Sequence, residues 1–172
     1  MFLNVREMEL RKVRFDQTFP PGEIQFLDGE LRQAGPLHAV GSAELLPNTG
    51  GEIRILGHLD VRMQSECDRC LEVAEYPVAL EFDLFYEPAV AEPAGQEVAL
   101  KAKDSEVDFY QGEGLELEDV LREQILLSLP MQRTCREDCR GICPVCGTNR
   151  NRAECGCQVS TPDDRWAALR DM

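Results

Sequence analysis

Eight cysteines at short, regular spacings govern what this chain of 172 residues can fold into. They fall as Cys67 and Cys70 in "CDRC", as Cys135, Cys139, Cys143 and Cys146 in "CREDCRGICPVCG", and as Cys155 and Cys157 in "CGC". A C-x2-C on a tight turn lets two thiolates converge on one ion. In "CPVCG" the next residue, Gly147, can take positive φ and close the turn behind the second sulfur. A tetrahedral Zn²⁺ takes four such ligands, so eight cysteines make two complete sets and need neither histidine. The N-terminal "MFLNVREMELRKVRF" is broken by charge and lacks the apolar run of a secretory signal. The expected setting is therefore a reducing cytoplasm, where disulfides rarely persist and clustered cysteines bind metal.

Counting alone leaves the pairing open. The preferred arrangement puts Cys143, Cys146, Cys155 and Cys157 in one local site, closed by the spacer "GTNRNRAE". Cys67, Cys70, Cys135 and Cys139 then form a second site that staples distant parts of the chain. A swapped ribbon, "CDRC" with "CPVCG", a shared two-metal cluster and iron–sulfur ligation satisfy the same count.

The rest of the chain reads as α+β: an antiparallel β-sheet with a covering helix and a C-terminal cysteine-rich zinc module. "LHAVGSAELL" leads through the turn signal "PNTGG" into "EIRILGHLDVRMQS", where Ile53, Ile55, Leu59, Val61 and Met63 share one parity. In "YPVALEFDLFYEP" Val78, Leu80, Phe82, Leu84 and Tyr86 do the same. This is the period-2 pattern of strands with one buried face, and it places Cys67 and Cys70 at the tip of a hairpin. Residues 87–114 read as an acidic loop with a short strand at Val107–Tyr110. In "LELEDVLREQILLSLPM", Leu117, Val120, Leu121, Gln124, Ile125 and Leu129 recur at helical spacing over about 116–129, ended by Pro130. Further strands are expected near Arg11–Phe15 and Ile24–Leu27. The domain boundary is expected at 134, with a sheet core at 1–134 and a zinc-binding tail at 135–172 stapled to the hairpin tip at 67–70.

The net charge of −14 is uneven: residues 67–134 hold 16 acidic against 5 basic groups, and residues 135–172 hold 6 of each. The acidic middle repels phosphate backbones and suits a basic protein partner. RNA contact is left to the tail, through Arg136, Arg140, Arg150 and Arg152. Trp166 and Leu169, with Ala167, are expected to form a short apolar helix face that packs on the tail or docks a partner. No apolar run is long enough to span a membrane. Closed four-thiolate sites leave no position for a catalytic water, and no metalloprotease helix, phosphate-cradling loop or nucleophile elbow occurs. A dithiol redox role needs a βαβ context that "CDRC" lacks. His38 and His58 read as surface or capping residues. The chain is expected to be no enzyme and to take no small-molecule substrate.

A hairpin tipped by "CDRCL", an acidic stretch, "LEDVLREQILLSLPM" running into "CREDCRGICPVCGTNRN", then "CGC" and "DDRWAAL", resembles the YceD family from about Phe26 onward. That family is named for large ribosomal RNA subunit accumulation. The resemblance implies a factor needed for 23S rRNA levels and large-subunit biogenesis, working with a ribosomal protein or pre-large-subunit particle. It implies that all eight cysteines are metal ligands. The competing readings are a general zinc-ribbon interaction module, as in transcription, and a redox- or zinc-responsive sensor.

Overall fold

The computed structural model describes residues 1–26, 31–89 and 107–158. Among these, the element order is β1 (Phe2–Asn4), α1 (Val5–Leu10), β2 (Val13–Phe19), β3 (Arg32–Gln33), β4 (Leu37–Leu45), β5 (Ile53–Glu66), β6 (Val73–Pro88), β7 (Val107–Tyr110), β8 (Gly114–Glu116) and α2 (Leu117–Ser128). The class is α+β. The chain forms two compact units: residues 1–65 with 75–131, and residues 66–74 with 132–172.

In the first unit the main sheet runs β2-β4-β5-β6-β7, with β3 also on β5. β4 and β5 pair antiparallel from His38↔Asp60 to Leu45↔Ile53. The turn between them uses Asn48 at φ 62° and Gly51 at φ 109°, and the Thr49 hydroxyl donates to the Leu46 carbonyl at 2.8 Å. The expected parity is the burial pattern on β5, while on β6 Leu80 and Leu84 are only half-buried. Ile53, Ile55, Leu59 and Met63 are fully buried, and Val78, Phe82 and Tyr86 face the same core. That face carries no side chain at Gly41 and Gly57, which pair directly. A Cβ at Gly41 would lie 2.5 Å from the Phe15 ring, and one at Gly57 2.6 Å from the Phe82 ring. The aromatics occupy the room the glycines leave.

The sheet is mixed, which corrects the all-antiparallel expectation: β6 and β7 run parallel, with Phe85↔Val107 through Pro88↔Tyr110. The stretch between Pro88 and Val107 exceeds the dozen or so residues a parallel crossover requires. Most of the acidic loop, residues 90–106, lies outside the described residues, as do Trp166 and Leu169. No strand forms at 24–26, although Ile24 is buried.

α2 buries Leu117, Val120, Leu121 and Ile125, and its first turn carries Glu118 and Asp119, which suit the helix dipole. Leu129 leaves the helix with extended backbone, as a residue before proline must. Gln124 and Leu129 lie at the margin of the face, half-buried. β8 sets where α2 begins by pairing with β1. Gly114, at φ 152°, is needed there, because a Cβ would sit 2.0 Å from the Leu3 carbonyl oxygen. The helix α1 was not legible: it is short, buries only Met8 and depends on the Asn4 side chain accepting from the Arg6 N–H. Among the described residues no helix is long and apolar enough to cross a membrane.

Candidate metal centres

All eight cysteines belong to the second unit, and none is joined in a disulfide. Two turns of identical design organise them. At Cys67 the N–H donates to the Glu72 carbonyl at 2.8 Å, and the Leu71 N–H donates back to the Cys67 carbonyl at 2.9 Å. At Cys143 the N–H donates to the Thr148 carbonyl at 2.9 Å, and the Gly147 N–H to the Cys143 carbonyl at 2.9 Å. Both turns need positive φ after the second cysteine. Gly147 supplies it at 72°, and Leu71 adopts it at 61°.

The structure brings Cys67, Cys70, Cys135 and Cys139 together in one set and Cys143, Cys146, Cys155 and Cys157 in another, the sulfurs of each lying within 4.8 Å of one another. The swapped ribbon is not formed, since the two C-x2-C turns contribute to different sets. In the first centre Cys67 Sγ lies 3.8 Å from Cys139 Sγ, and Cys70 Sγ 3.6 Å from Cys135 Sγ. A disulfide would need about 2.05 Å. Four sulfurs arranged tetrahedrally at about 2.3 Å from one ion stand about 3.8 Å apart. The donor set and its dimensions fit one tetrahedral ion in each centre.

The residues inside "CDRC" hold the first centre closed. The Asp68 carboxylate accepts the Arg133 N–H at 2.6 Å, and the Asp68 N–H donates to the Arg133 carbonyl at 2.8 Å. Arg69 donates to the Cys139 carbonyl at 3.2 Å and to Gln132 Oε1 at 3.0 Å. The Arg69 carbonyl accepts the Ile142 N–H at 2.9 Å. This close approach requires glycine at 141, where a Cβ would lie 2.9 Å from the Arg69 oxygen and φ is 68°.

Electrostatics prepare each centre for a cation. Burial opposes ionisation of Cys67, yet the N–H groups of Cys135, Arg69 and Cys70 outweigh it and hold that thiol at about 6. The Cys146 and Val145 N–H groups likewise hold Cys143 at about 6. Later thiols resist ionisation beside these. Burial, then the neighbouring thiols, pushes Cys135 up to about 12, and Cys146, then burial, pushes Cys157 up to about 12. A divalent ion removes that mutual repulsion and lets all four ionise.

Sequence reasoning missed Asn151. Its Nδ2 donates to Cys139 Sγ at 3.3 Å, and its Oδ1 accepts from the Arg140 N–H at 2.8 Å and from Arg136 Nη2 at 2.9 Å. It supports the first centre from inside the spacer of the second, which spacing cannot reveal. The arginines expected to contact RNA are all engaged within the unit. Arg150 Nη2 reaches Cys143 Sγ at 3.7 Å, Arg152 pairs with Glu72 at 2.6 Å, Arg140 with Glu154 at 3.5 Å and Arg136 with Asp138 at 3.2 Å. His38 and His58 lie elsewhere, paired on the sheet surface with Asp16 at 2.9 Å and Glu81 at 3.4 Å.

An α+β sheet protein with two four-cysteine clusters on one hairpin tip and its C-terminal segment is thus the class defined here. The chain belongs to the YceD family: the family described as "Large ribosomal RNA subunit accumulation protein YceD" matches residues 55–172. That stretch opens inside β5, C-terminal to Phe26, and takes in the hairpin tip, α2 and both thiol sets. The chain is similar to the Mycobacterium tuberculosis protein Rv2926c, 31% identical over 121 residues, 70% of this chain and 55% of that protein. It is 28% identical to Mycobacterium leprae ML1660 over 122 residues, 70% of this chain and 53% of that protein. Against Bacillus subtilis YlbN it is 22% identical over 172 residues, 98% of this chain and 92% of that protein. The chain thus spans about half the length of the mycobacterial relatives. No solved structure matches it significantly.

Proposed function

We propose that the chain is a non-enzymatic, cytoplasmic factor holding two Zn²⁺ ions, each on four cysteines, that supports 23S rRNA accumulation in large-subunit biogenesis. The carrying observation is the match to a family described by ribosomal RNA accumulation, over a stretch that includes both thiol sets. Zinc is the ion that two closed all-thiolate tetrahedral sets suit, and such sites contribute folding energy rather than an open catalytic position. The charge points to the partner. Residues 67–134 hold 16 acidic groups against 5 basic, whereas Arg136, Arg140, Arg150 and Arg152 are occupied by intramolecular partners. A basic ribosomal protein within a pre-large-subunit particle fits that surface better than direct rRNA contact does.

The test is the ratio of 23S to 16S rRNA in cells depleted of the protein, restored with wild type or with Cys143→Ser/Cys146→Ser. A fall in 23S rescued by wild type alone is expected. An unchanged ratio on depletion would overturn the ribosomal reading and leave a zinc-bearing interaction module.

A further inference from the structure

The two centres are contiguous in the chain: only Arg140, Gly141 and Ile142 separate Cys139 of the first from Cys143 of the second. The spacer 147–154 folds back onto that link. The Arg150 N–H donates to the Gly141 carbonyl at 2.9 Å, and Asn149 forms a β-bridge with Ile142. The Asn149 side chain then accepts the Asn151 N–H at 2.9 Å, fixing the next two residues. From this short platform two neighbouring side chains reach sulfurs of different centres. Arg150 approaches Cys143 Sγ of the second centre, 3.7 Å away. Asn151 donates to Cys139 Sγ of the first, 3.3 Å away, while holding the Arg140 N–H at 2.8 Å.

We infer that the segment Asn149–Arg152 couples the two centres, so that filling either one with metal raises the affinity of the other. Asn151 and Arg150 are the positioning residues. The inference rests on the metal-binding reading above. A metal-bound thiolate at Cys139 is a stronger acceptor for the Asn151 amide than a thiol is. Filling the first centre therefore anchors Asn151, and with it the Arg140–Ile142 link and the Arg150 guanidinium. The ordering that the second centre would otherwise need has then already occurred. The reverse holds by linkage. Two all-thiolate centres each carry net negative charge and repel. Arg140 and Arg150 in the shared segment, with Arg136 held on Asn151 Oδ1, offset that repulsion, so the shared ordering sets the sign.

The metal-free protein titrated with Zn²⁺ against a competing chelator tests this, with the Leu71 and Gly147 amide NMR signals reporting the first and second centre. In the wild type both signals should move together in one cooperative transition. In Cys155→Ser/Cys157→Ser the first centre should bind Zn²⁺ about tenfold or more weakly. Asn151→Ala, which removes no sulfur, should split the wild-type transition in two. The coupling is overturned if the first centre keeps its affinity in the double-serine variant. It is equally overturned if in Asn151→Ala both signals still move together in one transition as cooperative as in the wild type. No Zn²⁺ uptake at either centre would instead remove the metal-binding reading, and the coupling with it.

Discussion

In the first centre Cys67, Cys70 and Cys139 are buried, and the ligands come from segments at least 65 positions apart, Cys70 to Cys135, and as much as 72, Cys67 to Cys139. In the second, only Cys143 is buried, Cys146 is exposed, and the spacer between the two ligand pairs is 8 residues long. Both begin from the same hydrogen-bonded C-x2-C turn. They differ in the segment that completes the ligand set. The first turn is held by Asp68 and Arg69 reaching across to the Gln132–Cys139 segment, whereas the second is completed by its own downstream residues. A common local motif thus becomes a long-range cross-link in one place and a self-contained loop in the other. In a chain-entropy picture a closure of 65 residues stabilises by about 4 kcal/mol, and one of roughly ten residues by about 2.5 kcal/mol.

The sharpest way to break this contrast is to remove one ligand pair from each centre. Cys67→Ser/Cys70→Ser should lower the stability of the metal-loaded protein by about 4 kcal/mol or more. Cys155→Ser/Cys157→Ser should cost about 2 kcal/mol less. Denaturant unfolding with a parallel zinc count measures both, and equal losses would show that loop length does not distinguish the centres.

Next come the two positive-φ glycines. Gly141→Ala meets both an unfavourable φ and the Arg69 carbonyl at 2.9 Å, and should cost about 2–3 kcal/mol. Gly147→Ala faces open space and should cost only about 1 kcal/mol. A shift in denaturation midpoint of the same size for both would remove the close approach from the account. At the equivalent place in the first turn, Leu71→Gly should change stability by less than about 1 kcal/mol, because relief of the left-handed leucine is offset by glycine's unfolded-state entropy. A loss clearly above that in the same assay would mean that the exposed Leu71 side chain stabilises the turn.

The smallest effect belongs to the sheet and serves as a reference for the thiol module. His38 Nε2 donates to the Asp16 carboxylate at 2.9 Å, and that hydrogen bond raises its pKa above the usual 6.5. A raised folded-state pKa stabilises below 6.5 and loses that contribution as pH rises through the folded value. His38→Gln should remove a slight decline in stability over that window, read from unfolding midpoints at a series of pH values. An unchanged pH slope would show that the exposed pair contributes nothing measurable.

How much the residues made legible depends on how local each signal is. The β5–β6 parity and the α2 periodicity report which face is buried, and those faces are buried. Parity does not report which strand lies alongside or in which direction, so the parallel β6–β7 pair could not be read. β3 is two residues long and α1 hides a single apolar side chain, too little for any period. The cysteine spacings point to turns that gather thiols, but the support from Asn151 arises only once two loops have folded against each other. The charges of Arg136, Arg140, Arg150 and Arg152 can be counted in sequence, while the carboxylate and sulfur partners that the fold gives them cannot.

The paired glycines at 41 and 57 carry a consequence for how the sheet breathes. The rings of Phe15 and Phe82 lie directly on bare backbone and cover the core face of the β4–β5 pairing at that level. Amide exchange at Gly41 and Gly57 is therefore expected to be slower than at the strand ends, where fraying suffices. The two positions that contribute no side chain of their own thereby become the places where the core reads out its own motion.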